Sequence, residues 1–315
     1  MSIWAHRSGA CMLDRREFLT CSLGMAGLLL AGCSTSGTAG DDSSSSGSAS
    51  SAKSSKLKVV ALSQSLADMA LLAGATVVGY TADAAELKGL PSSAKAVGTL
   101  VRPNLEQIVA LKPDLVLLSA DIPTQARLES GLKQAKVSYK NVVVNSFADY
   151  RKAMRSLTQR TGRSDLYRKN VTNVANRIAK VKKKGAKLPK VTYLAIRMAS
   201  SSERVLNSGA HFDCEVFDGM RMTNVATGNS ALDNLSVEAI VAANPHYILV
   251  TPMGDATEAE DAFKKAFESK PGWSTLDAVK AGRVHMLPKD LFQLKPNDRW
   301  DEAYRYVLDM RKKEG

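Results

Sequence analysis

Leu105-Glu-Gln-Ile-Val-Ala-Leu-Lys-Pro-Asp-Leu-Val-Leu-Leu-Ser119 and Val237-Glu-Ala-Ile-Val-Ala-Ala-Asn-Pro-His-Tyr-Ile-Leu-Val-Thr251 are two versions of one unit. Without gaps, Glu, Ile, Val, Ala, Pro and Leu recur at six of fifteen positions, 132 residues apart. Each copy predicts a short helix, a proline turn and an apolar strand. Asn104 and Ser236 are the expected N-caps, which puts Glu106 and Glu238 in the first helical turn. An acid there is favoured by the helix dipole alone, so either Glu by itself says little. Two at matching places imply two similar α/β lobes, each presenting one carboxylate.

Outward from the repeat, the pattern alternates. Lys58–Leu62, Ala75–Tyr80, Ala94–Gly98, Asp114–Ser119 and Ser138–Val144 are apolar runs of strand length. Between them lie helical spacings at Ser65–Ala73 and Thr124–Ala135. Such alternation predicts a mostly parallel sheet. It stops at residues 148–188, where Ala148–Arg160 and Asp165–Lys184 are two consecutive helices. The second carries an apolar stripe of Leu166, Val171, Val174, Ile178 and Val181. Strands then return at Lys190–Ile196, Tyr247–Thr251 and Arg283–Leu287, with helices at Asp213–Asp218, Ala259–Phe267 and Asn297–Lys312. The expected organisation is α/β, with lobes at 57–147 and 189–315 joined by a helical connector at 148–188.

The N-terminus adds an address. Arg15-Arg16-Glu17-Phe18-Leu19 is a twin-arginine pattern before the apolar run Phe18–Ala31, and Leu30-Ala31-Gly32-Cys33 follows. The run is short for a membrane span and fits an export signal over residues 1–32. Residues 33–56, rich in Ser, Gly, Ala and Thr, cannot bury apolar area and are expected to be a tether. With Cys11 and Cys21 in the signal and Cys33 at its end, Cys214 is the one thiol left to the folded part, so no internal disulfide is expected. The net charge of +12 is local: Arg151–Lys190 holds fourteen Lys/Arg and one acid, Asp165. A basic stretch raises nucleic acid, but an exported protein excludes it. A solvated helical face or attraction to an anionic surface fits better.

These residues resemble a known family, the substrate-binding lipoproteins of ABC importers for iron–siderophore complexes, haem and vitamin B12. The resemblance rests on Asn104–Val116, Leu235-Ser-Val-Glu-Ala-Ile240, Lys280-Ala-Gly-Arg-Val284 and Phe292–Tyr304. It implies two α/β lobes joined by one long helix. It implies lipidation of Cys33 in a bacterial lipobox and a monomer tethered outside the cell. It further implies docking of Glu106 and Glu238 on the arginines of a dimeric permease driven by its ATPase.

In paired α/β lobes the ligand cleft lies between them, lined by loops at strand carboxyl ends. Candidate ligand contacts are therefore Ser63, Gln64 and Arg102 from the first lobe, and Arg197, Met198, His211, Met253 and Lys295 from the second. Arg102 and Arg197 suit carboxylate or catecholate groups. His211, Met198 and Met253 are the candidate axial ligands were the ligand haem, and Tyr80 and Phe292 the aromatics that could face a flat one. No His/Cys/Asp/Glu set has metal-ligand spacing, so no bare-metal site and no resident cofactor is expected; the ligand is expected to arrive as an iron chelate. Haem or a corrinoid is the alternative ligand. An exported α/β enzyme using Glu106 or Glu238 as an acid or base is the alternative class. It is disfavoured because the two acids sit on separate lobes, and no nucleophile elbow or phosphate loop is present.

Overall fold

A computed structural model describes residues 56–228 and 231–314 of the chain. The expected export signal, Cys33 and residues 34–55 of the expected tether lie outside these residues. The first half runs β1 (Lys58–Ala61), α1 (Gln64–Leu72), β2 (Thr76–Tyr80), β3 (Lys95–Ala96), β4 (Gly98–Thr99), β5 (Arg102–Pro103), α2 (Leu105–Ala110) and β6 (Leu115–Ser119). It continues through α3 (Pro123–Ala126), α4 (Leu128–Gln134) and β7 (Tyr139–Val142). Strands β3-β2-β1-β6-β7 form one parallel sheet, and β4 and β5 make a small antiparallel ribbon beside it.

Next come α5 (Phe147–Thr161), α6 (Ser164–Tyr167) and α7 (Asn173–Gly185). The second half holds β8 (Val191–Ala199), β9 (Ser202–Val205), α8 (Phe212–Asp218), β10 (Met222–Asn224), α9 (Val237–Ala243), β11 (Tyr247–Pro252) and α10 (Ala256–Phe263). It ends with α11 (Asp277–Lys280), β12 (Val284–Met286), α12 (Lys289–Phe292) and α13 (Trp300–Lys313). Its sheet is β10-β8-β11-β12, all parallel, with β9 antiparallel on β8. Two parallel sheets with helices packed on them match the expected two-lobed α/β class.

The repeat is exact in its local devices. Asn104 Oδ1 accepts from Gln107 N at 3.1 Å, and Ser236 Oγ accepts from Ala239 N at 3.1 Å. Both helices close on a left-handed residue before proline, Lys112 at φ 46° and Asn244 at φ 37°. The strands that follow, β6 and β11, then begin at equivalent residues, Leu115 and Tyr247.

Between the sheets, α5 ends at Gly162, whose φ of 69° supplies the left-handed cap. A wide five-residue turn, Arg168–Thr172, joins α6 to α7 into one helical run. The start of the run is tied to the first lobe, where Asn170 Nδ2 donates to Leu72 O at 2.8 Å. Its end is tied to the second: Arg177 Nε bonds Asp301 Oδ2 at 2.8 Å, and Lys182 lies 4.8 Å over the Tyr304 ring. Val171, Val174, Ile178 and Val181 are buried. They belong to one apolar core that runs from Val59 and Tyr150 through Tyr193 to Trp300. Phe147 packs edge-on against Trp300 at 5.8 Å, inside that core.

Three expectations are corrected. The single helix at Thr124–Ala135 is two, broken at Arg127. The segment Arg197–Ala199, expected as a loop, is the end of the long strand β8. Strands β9 and β10 were not anticipated, because Ser202-Glu-Arg-Val205 and Met222-Thr-Asn224 lack an apolar run.

Candidate functional site

The strands of both sheets point their carboxyl ends at one cleft of about 460 Å³. The loops after β1, β2, β6 and β7 supply one wall, and β8 with the loops after β11 and β12 the other. This is the place where open parallel sheets leave room for a ligand.

Each lining side chain is set by a local device. Ser63 caps α1, its Oγ accepting from Leu66 N at 3.3 Å. The next residue, Gln64, donates its backbone N–H to Asp83 Oδ2 at 2.7 Å, which leaves its side chain to the cleft. Behind this wall Gln125 is fully buried and bonds three loops at once. It accepts from Ser119 N at 2.7 Å and donates to Leu62 O at 2.6 Å and Leu100 O at 2.9 Å.

On the other wall Arg197 and Met198 are neighbours on β8, so pleating sends them to opposite faces. Arg197 lines the cleft, and its Nε is buried with no hydrogen-bond partner among the described residues. Asp213, at the start of α8, is fully buried. Thr251 Oγ1 donates to its Oδ2 at 2.8 Å, while Oδ1 is unpaired. Burial pushes its carboxyl up to about 6, against the opposing pull of Arg197 and Thr251. His211 is held down to about 4 by burial first, then by Arg197, Arg204 and Lys295. Its imidazole is therefore neutral at pH 7.

The walls are joined by one strap. Lys295 Nζ lies 3.0 Å from Asp121 Oδ2 across the cleft and 4.7 Å over the Phe212 ring. Lys295 N donates to Ser65 Oγ at 3.1 Å, and Asn297 Nδ2 donates to Asp68 Oδ2 at 2.7 Å. The cleft thus offers Arg197, Lys289 and Lys295 against Asp83 and Asp121, plus the Ser63, Ser65 and Ser119 hydroxyls. Leu66, Met69, Leu100, Ile122, Val142 and Val144 form its apolar floor. Such a pocket suits an anionic ligand with an apolar body.

Of the expected contacts, Ser63, Gln64, Arg197, Met253 and Lys295 come together on this lining. Three do not. Arg102 sits exposed on the β4–β5 ribbon, outside the lining, and only its turn neighbour Leu100 reaches the cleft. Met198 is buried in the core of the second lobe. His211 stands half-buried at the N-terminus of α8, off the lining. The aromatic candidates also fall away: Phe292 is fully buried and stacks on Phe217 at 5.7 Å, and Tyr80 packs on the core. Cys214 is buried, and burial pushes its thiol up to about 12. Asp83 and Lys289, each in a single short helical turn, were missed, while Asp121 and Gln293 lie in the loops 120–123 and 292–295 expected to line the cleft but were not singled out. Gln125 was not singled out within the expected helix Thr124–Ala135. Glu106 and Glu238 are both exposed, each in the first turn of its capped helix.

Comparison with known proteins agrees with this geometry. An iron-uptake system-binding protein of Bacillus subtilis is 24% identical over 203 residues, 63% of this chain and 62% of that protein. An Fe(3+)-citrate-binding protein of the same organism is 24% identical over 245 residues, 74% of this chain and 73% of that protein. An ABC transporter substrate-binding protein from Listeria monocytogenes superposes with a TM-score of 0.69 at 25% identity, over 81% of this chain and 98% of that one. The family described as periplasmic binding protein, a solute-binding rather than an enzyme class, matches residues 59–291. With nearly all of both sheets, the repeat and most of the cleft lining inside that match, the chain belongs to the periplasmic binding protein family.

Proposed function

We propose that this protein captures an anionic iron chelate outside the cytoplasm and delivers it to an ABC permease, held near the membrane by a lipid on Cys33. The observation that carries the reading is the cleft at the strand carboxyl ends, where Arg197 presents a buried Nε without a hydrogen-bond partner among the described residues. A guanidinium pre-placed in a partly dry pocket favours a carboxylate, hydroxamate or catecholate edge. The iron arrives already coordinated by its chelator. Glu106 and Glu238, one on each lobe, are the contacts with the permease. Two separated carboxylates fix orientation on a two-fold partner better than one.

The test is direct titration of the purified protein with ferric citrate, ferric hydroxamates, ferric catecholates, haem and cobalamin, read by tryptophan fluorescence and visible absorbance. A ferric chelate is expected to bind, and Arg197→Ala to weaken it by about tenfold or more, the loss of one charge-assisted bond. Binding of haem or cobalamin alone would replace the ligand class, and binding of none would sink the reading.

A further inference from the structure

The basic segment Arg151–Lys190 plays no part in the cleft. The topology places its helices on the far side of the molecule. The cleft lies at the carboxyl ends of the strands. Arg160 Nη2 bonds Asp114 O and Thr161 Oγ1 bonds Ala73 O, both just before the amino ends of β6 and β2. Helix α7 then leads into the amino end of β8. The run α6–α7 therefore spans both lobes along the edge remote from the cleft. By contrast, α2 and α9 run toward the amino ends of β6 and β11, so Glu106 and Glu238 start from the cleft side.

The charge on that edge is mostly of one sign. With Val171, Val174, Ile178 and Val181 turned inward, helical periodicity puts Lys169, Lys180, Lys183 and Lys184 together on the outer face, and all four are exposed. On α5, which starts after the carboxyl end of β7 and runs toward that edge, Arg151, Lys152 and Arg155 are exposed nearer the helix start. Among the described residues, the ion pairs of the segment are Arg163–Asp165 and Arg177–Asp301, and none of these seven cations belongs to one. Between the first half of α5 and the end of α6, Arg151, Lys152, Arg155 and Tyr167 line a shallow hollow of about 230 Å³, with Arg155 Nη2 3.2 Å from Tyr167 Oη.

We propose that this face rests on the anionic lipid headgroups of the membrane that the anchored chain lies beside. The setting rests on the extracytoplasmic, lipid-anchored reading given above. A neutral or mixed surface would gain nothing from proximity to lipid phosphates. A row of unpaired lysines gains with each cation brought within the Debye length of about 8 Å. In this posture the cleft faces away from the bilayer, open to incoming ligand, while the Glu106 and Glu238 side must turn over to meet the permease. The membrane contact and the permease contact are then alternatives, and the lipid charge sets the balance between them.

The test uses the chain from Lys56 to Gly315, which lacks the lipid, so that only the face can bind. It is sedimented with vesicles of phosphatidylcholine, with and without phosphatidylglycerol, at low and high salt. Sedimentation with the anionic vesicles alone, reversed by salt, is expected. Lys169→Glu, Lys180→Glu, Lys183→Glu and Lys184→Glu combined should weaken it by about tenfold or more. A control variant reversing Lys88, Lys95, Lys133 and Lys136 should not. Equal loss in the control would reduce the effect to net charge and overturn the proposal, as would binding to uncharged vesicles. A fluorophore on Asn176→Cys should be quenched by headgroup quenchers and one on Gln107→Cys should not; equal quenching would overturn the orientation. Chelate affinity is read separately on both charge variants, so failure of vesicle binding is distinct from failure of the transport reading.

Discussion

Lys295 Nζ and Asp121 Oδ2 meet 3.0 Å apart from opposite lobes, so one ion pair spans the mouth of the ligand cleft. Asp121 is 42% exposed and Lys295 20%. A pair so placed contributes about 0–1 kcal/mol to stability. Its larger effect is competition, since Asp121 occupies a cation that an anionic ligand would use. Asp121→Asn is expected to leave the thermal midpoint almost unchanged and to raise affinity for an anionic chelate severalfold. Lys295→Ala should lower it. Titration calorimetry on both variants checks the opposite signs; a loss of affinity in Asp121→Asn would place that carboxylate on the ligand itself.

Asp213 gives a pH dependence with a definite sign. Its folded-state carboxyl, raised to about 6, holds its proton more tightly than in the unfolded chain. It therefore costs stability as pH rises from about 4 to about 6, and that cost is constant above. Asp213→Asn removes the charge, so its stability relative to the parent should climb across that window and flatten at neutral pH. His211, lowered to about 4, works the other way and costs stability as pH falls from about 6.5 to 4. Urea midpoints of the parent, Asp213→Asn and His211→Asn at several pH values separate the two contributions.

Gln125 binds three loops behind the cleft. Gln125→Ala would leave Ser119 N and the Leu62 and Leu100 carbonyls without partners. A cost of about 1–3 kcal/mol is expected from the unpaired groups, measurable by urea unfolding. Ligand affinity should fall as well, since Leu100 and Ser119 are lining residues. Stability lost with affinity intact would confine Gln125 to a structural role.

For Glu106 and Glu238 the expectation is a clean separation. Both are exposed at capped helix starts, so Ala at both sites should cost each helix no more than about 1 kcal/mol. Chelate affinity should be unchanged while uptake through the permease is abolished. Parallel equilibrium binding and cellular uptake assays decide it.

The sequence made these elements legible to unequal degrees, for physical reasons. The repeat was legible in its caps, helices and proline turns, and its strands to within one residue, because these are local devices that leave local marks. The connector was equally plain, since its buried stripe has helical spacing. The cleft was half legible. Ser63, Gln64, Met253 and Lys295 follow from the rule that ligand loops leave strand carboxyl ends. Met198 was misassigned because β8 runs on to Ala199, and alternation then turns the side chain inward. Arg102 was misassigned because the β4–β5 ribbon, only two residues deep on each side, left no strand signature. Asp121 gained its importance from a lysine 174 residues away, a relation that no local pattern encodes.

The apolar interior that continues from Val59 through Ile178 to Trp300 has a thermodynamic consequence. Two halves that share an interior melt as one, so neither sheet is a separate cooperative unit, and cutting the chain at Gly162 would strip both halves of a wall. The helix starts still mark two similar halves, yet a shared interior joins them. A ligand seated in the cleft would therefore press on one shared interior, with the two glutamates on the same side of the molecule as the cleft.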